Sequence, residues 1–86
     1  MTLSELKSGE VAVVSCLQLK RHEQELGKRL VAIGIIPDKQ IQVIRKASFG
    51  GPLHIRVGST TEVAIRRQEA EMVQVRRLNS RGEART

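Results

Sequence analysis

The aliphatic residues of this chain arrive in short runs of strand period, and two of these runs end in glycine-containing turns, at residues 48–52 and 58–59. Ile41 and Val43 share one face of a stretch running on to Ala47, with Gln40 and Gln42 on the other, while Leu53, Ile55 and Val57 alternate with His54 and Arg56. Met72-Val73-Gln74-Val75-Arg76 repeats the pattern near the C-terminus, placed to close the sheet against the first strand. Ile44 breaks the alternation of its stretch and predicts a bulge or a satellite contact. Val11-Ala12-Val13-Val14-Ser15-Cys16-Leu17 lacks strict alternation, which predicts a strand covered on both faces, with the later helix over one of them and Cys16 in the core.

The turns set the register. Gly58-Ser59 as a two-residue loop would place Ile55 beside Glu62, an apolar residue against a charge. A three-residue loop instead pairs Ile55 with Val63, Leu53 with Ile65 and, on the wet face, Arg56 with Glu62. The longer loop is therefore expected. Ser48-Phe49-Gly50-Gly51-Pro52 is turn chemistry joining the two preceding strands.

Helical spacing occurs once at length. Leu26, Leu30 and Ile33 recur along residues 22–33, Gly34 stands where a left-handed cap is wanted, and Pro37 blocks continuation. Gly27 weakens this helix by about 1 kcal/mol relative to alanine. At the N-terminus, Thr2 followed by Glu5 has capping-box spacing and predicts a single turn with Leu3 and Leu6 on one side.

Five short strands, one amphipathic helix and tight turns within 86 residues leave room for one core, and closure is the economical way to remove exposed edges. The expected fold is mainly β: a small closed antiparallel barrel of the SH3-like or OB type over residues 1–78, followed by a polar tail at 79–86. No apolar run approaches the ~20 residues of a membrane span, and no basic flank with an apolar segment opens the chain, so a non-exported cytoplasmic protein is expected. A single cysteine excludes an internal disulfide and a multi-cysteine metal framework.

The chemistry-bearing residues are few. His22 and His54 are the only imidazoles, without paired His or Cys spacing, and His22 with Glu25 offers at most two ligands, so neither a metal site nor a cofactor is expected. No phosphate loop and no Ser-His or Cys-His spacing is present, so the chain is not read as an enzyme. A net charge of +6 favours acidic partners. Basic doublets at Lys20-Arg21, Lys28-Arg29, Arg45-Lys46, Arg66-Arg67 and Arg76-Arg77 make nucleic-acid binding the chief rival function. Against it, one Phe and no Trp or Tyr provide no stacking platform for bases, nor a groove for proline-rich peptides. Phe49 is either tucked into a small cluster or displayed as a docking anchor; turns carry no periodicity to choose between these.

Three landmarks now stand in order: Lys28-Arg29-Leu30-Val31-Ala32-Ile33-Gly34-Ile35-Ile36-Pro37-Asp38, then Gly50-Gly51-Pro52-Leu53, then Arg66-Arg67-Gln68-Glu69-Ala70-Glu71. Together, across about Leu3 to Leu78, they resemble the FeoA (ferrous iron transport protein A) family, with Ile33 for its usual Leu and Asp38 for its usual Gly. The resemblance implies an SH3-like barrel that accompanies the membrane GTPase permease FeoB in the bacterial cytoplasm and modulates its soluble GTPase-bearing domain. On this reading the expected partner-binding surface is Lys28, Arg29, Phe49, Gly50, Gly51 and Pro52, with no direct membrane insertion and with weak self-association allowed. A similar barrel forms the C-terminal domain of metal-dependent repressors, which leaves a metal- or ligand-sensing domain as a third reading.

Overall fold

The computed structural model describes residues 1–78; the expected polar tail at 79–86 lies outside the described residues. Five strands form one antiparallel sheet: β1 (Val11–Leu17), β2 (Gln40–Lys46), β3 (Leu53–Val57), β4 (Thr61–Ile65) and β5 (Val73–Arg77), in the order β4-β3-β2-β1-β5. One helix, α1 (Gln24–Ala32), and a single helical turn, α2 (Arg67–Ala70), complete it, with 3-10 turns at Leu3–Glu5 and Arg21–Glu23.

The expected register is present throughout the β3–β4 hairpin. Leu53 pairs with Ile65, Ile55 with Val63 and Arg56 with Glu62, and Val57 opposite Thr61 leaves the three loop residues 58–60. The apolar partners fill the core, and Arg56 meets Glu62 at 2.9 Å on the outer face. A register shift between Val43 and Arg45 marks the expected bulge at Ile44.

β1 differs from expectation in two respects. Its burial alternates, with Ala12 and Val14 fully buried and Val13 and Ser15 only half so, hence one face is covered rather than two. Cys16 is exposed, not core. The cause is a second bulge: Val14 faces Val75 but Cys16 faces Gln74, so Ser15 is an extra residue that flips everything after it to the opposite side.

The sheet is not a hydrogen-bonded barrel. β4 and β5 are its two edges, and among the described residues no backbone bond joins them. β5's outer edge is occupied instead by the N-terminal segment: Val75 N–H donates to Met1 C=O at 2.8 Å, and Thr2 bridges Gln74. Closure is by side chains, since Ile65 of β4 and Val73 and Val75 of β5 belong to one core with Ile41, Val43, Leu53 and Ile55. Each such fully buried aliphatic contributes about 1.5–3 kcal/mol.

Thr2 N–H donates to the Glu5 carboxylate, and the turn it caps buries Leu3 and Leu6, as the spacing predicted. α1 ends in a full Schellman motif, with Gly34 at φ +99° donating to Val31 C=O and Ile35 to Leu30 C=O, both at 3.0 Å. Leu30 is fully buried, Leu26 and Ile33 pack at the core margin, and Ile35 beyond the cap is buried as well. Gly27 also lets the Leu19 side chain lie against the helix, since a Cβ there would displace it.

Candidate functional site

The loop between β2 and β3 is a tight reversal in which Gly51 N–H donates to Ser48 C=O at 3.2 Å and Ala47 N–H to Pro52 C=O at 3.0 Å. Its central residues, Phe49 and Gly50, have φ +58° and +75°, the paired left-handed conformation of a type I′ turn. For glycine this is free; for phenylalanine it costs about 1–2 kcal/mol. The side chain recovers none of that by burial, because Phe49 is fully exposed at 105%. The alternative left open by the sequence is thereby decided: the chain's one aromatic ring stands in solvent on a strained turn.

Beside this hairpin runs a groove of about 540 Å³, lined by Arg29, Gly50, Gly51, Pro52 and residues 64–68. Arg29 and the glycine-proline turn are thus brought together, whereas Lys28 points to water, 75% exposed and 3.3 Å from Glu25. Arg29 is half exposed and donates to Glu69 Oε2 at 2.7 Å; Glu69 is completely buried, and its other oxygen accepts Arg66 N–H at 2.8 Å. One carboxylate therefore ties α1 to the start of α2 and fixes one wall of the groove. Arg66 and Arg67, on the other wall, have no acidic partner among the described residues, and the buried Arg67 Nε is unbonded.

Glu69 is the residue that sequence reasoning missed. Its signal was present in the Arg66-to-Glu69 spacing, the same i, i+3 return of a glutamate onto a backbone N–H seen at Thr2/Glu5, Lys7/Glu10 and Lys20/Glu23. These returns turn acidic groups onto the main chain and leave the outer surface more cationic.

The acidic groups at turns and on the sheet also set the response to pH. Glu5 and Glu10 sit below the ordinary 4.5, held first by the backbone N–H of Thr2 and of Lys7, and Glu62 is lowered chiefly by the hydrogen bond from Arg56. The unfolded chain takes up protons at these positions before the folded one does. Their contribution to stability is therefore present above about pH 4.5 and is lost as the pH drops through the lower folded values. Melts at pH 7, 4 and 3 should show a progressively lower Tm; a Tm unchanged to pH 3 would contradict this assignment.

The histidines lie apart. His22 is exposed in the 3-10 turn before α1, and His54 on β3 approaches Glu62 at 3.4 Å beside Arg56. Among the described residues no group of three or more His, Cys, Asp or Glu could hold a metal ion. The basic doublets are dispersed and partly neutralised, Arg76 lying 3.5 Å from Asp38 and Arg77 2.9 Å from Glu10.

A FeoA domain family model matches residues 1–77. The crystal structure of an iron uptake regulatory protein (FeoA) superposes with a TM-score of 0.78 at 31% identity, covering 91% of this chain and 97% of that one. FeoA of Stenotrophomonas maltophilia, described as an SH3 domain protein and solved with zinc, gives 0.78 at 32% identity, covering 100% and 99%. A manganese-dependent transcriptional repressor shares the fold, with a TM-score of 0.80 at 19% identity, covering 91% of this chain but 36% of that one. No curated protein matches the chain. The SH3-like sheet and a family match spanning nearly every described residue lead to one conclusion: the chain belongs to the FeoA family.

Proposed function

We propose that this chain is a non-enzymatic, cytoplasmic accessory protein of bacterial ferrous-iron uptake that docks on the soluble GTPase-bearing part of a FeoB-like permease and modulates it. Family membership supports the role in ferrous-iron transport, and no helix among the described residues is long and apolar enough to cross a membrane. The observation that carries the docking surface is Phe49. A ring fully exposed on a strained turn costs the free protein stability without return, which is the expected signature of an anchor that gains its burial on a partner.

Beside the ring, Gly50, Gly51, Pro52 and the groove's arginines supply the rim. Lys28 contributes long-range attraction, while Arg29 is committed to Glu69 and shapes the wall. Titration against the permease's soluble domain tests the reading. Phe49→Ala should weaken binding at least tenfold while leaving the melting temperature unchanged or slightly raised. Equal affinity for the variant and the parent protein would remove Phe49 from the interface.

A further inference from the structure

The two edges of the sheet are treated differently. β5 is covered by the N-terminal residues Met1 and Thr2, whereas among the described residues nothing but β3 hydrogen-bonds to the backbone of β4. Natural edge strands are usually blunted by proline, lysine or a bulge. Thr61-Glu62-Val63-Ala64-Ile65 has no proline or lysine, and its pairing with β3 runs without a register shift, while both β1–β5 and β2–β3 are bulged. Its one charge, Glu62, is held on the sheet face by Arg56 at 2.9 Å and His54 at 3.4 Å.

The groups facing outward can be identified. Gly58 N–H donates to Gln40 C=O at 2.8 Å, so the main-chain groups of Gly58 and, two residues earlier, Arg56 face β2. Those of Val57, Ile55 and Leu53 then face β4, and their partners Thr61, Val63 and Ile65 face back. Glu62 and Ala64 consequently present their N–H and C=O groups away from the sheet. Directly beyond Ile65 stand Arg66 and Arg67, which among the described residues have no acidic partner, in the groove beside the Phe49 hairpin.

We infer that β4 is a seat for strand addition: an extended, acidic segment of a partner protein pairs with Glu62 and Ala64 and runs its carboxylates onto Arg66 and Arg67. The main chain provides register, and the arginine pair selects an acidic sequence over a neutral one. A second copy of this chain, itself at +6, lacks that complementarity. The inference deepens the docking reading above and rests on it.

Amide exchange followed residue by residue by NMR, with and without the permease's soluble domain, reads the seat directly. The Glu62 and Ala64 amides should slow at least tenfold on binding. Ala64→Pro, which removes an outward donor at a site where an edge strand tolerates proline, should weaken binding at least fivefold, and Arg66→Ala should reduce the salt dependence of affinity. Exchange at Glu62 and Ala64 that is unchanged in the complex overturns strand addition, even where Ala64→Pro fails to fold. Protection that rises with the chain's own concentration and without the partner would assign the edge to self-pairing instead. The two readings fail separately: loss of affinity in Phe49→Ala with unprotected β4 amides sinks only the strand seat, and no binding of the soluble domain at all sinks both.

Discussion

Ile55→Ala should lower stability by about 3 kcal/mol and the melting temperature by roughly 15 °C, the larger of two effects expected from single truncations. Ile55 is fully buried at the middle of β3 and lies between Val43 and Val63 in the pairing of three adjacent strands. Removing its outer carbons forfeits their burial and opens a cavity that three hydrogen-bonded strands cannot collapse into. The loss is severe because a domain of this size holds only about 5–10 kcal/mol in total. Ile55→Val, which deletes a single methyl, should cost about 1 kcal/mol. Urea unfolding of both variants checks the ranking. An alanine variant within about 1 kcal/mol of the parent would mean that the sheet collapses around the site and leaves no cavity.

Arg29→Ala should follow at about 2 kcal/mol, while Lys28→Ala, one residue away, should be neutral within about 0.5 kcal/mol. The two cations look alike in sequence and differ entirely in what they face. Lys28 meets Glu25 in open water, where an ion pair is screened and its side chains lose entropy. Arg29 meets Glu69, which has no solvent contact, so truncation leaves a buried carboxylate with only the Arg66 N–H to satisfy it. Half of Arg29 is in solvent, which keeps the expected loss below the about 3–5 kcal/mol of a fully buried pair. Glu69→Gln in the Arg29→Ala background should recover part of the loss, because it removes the stranded charge. Equal melting temperatures for the Lys28 and Arg29 variants would show that the Glu69 pair contributes nothing. The same asymmetry means that a charge reversal at Arg29 would destabilise the fold as well as change the surface, so Phe49 and Arg66 are the informative positions for docking.

How much of this was legible follows from where a residue's partners lie in the chain. The β3–β4 register could be read because its two strands are three residues apart and only one loop length puts apolar against apolar. The Schellman end of α1 was legible for the same reason, since Gly34, Val31 and Ile35 are neighbours in sequence. Cys16 was not, because whether β1 stays in phase depends on a bulge against β5, some sixty residues later, and a single extra residue inverts the pattern. The missing hydrogen-bonded closure has a similar origin: the N-terminal residues take the edge of β5 that β4 would otherwise need.

The candidate site divides along the same line. The Phe49 turn, the basic doublets and the FeoA-like order of landmarks were visible as residues. That Phe49 is displayed rather than tucked, that Arg29 joins the hairpin groove while Lys28 does not, and that Glu69 is the buried anchor were not. A mainly-β domain with one short helix, its hairpin register and its family could be read from the amino acids alone, because these rest on local periodicity, turn chemistry and the order of short motifs. Which of the described cations lack an acidic partner, which edge of the sheet stays open and which side of β1 faces inward emerged only in the folded chain. Those depend on contacts between segments far apart in the chain, where burial and long-range pairing override the local pattern.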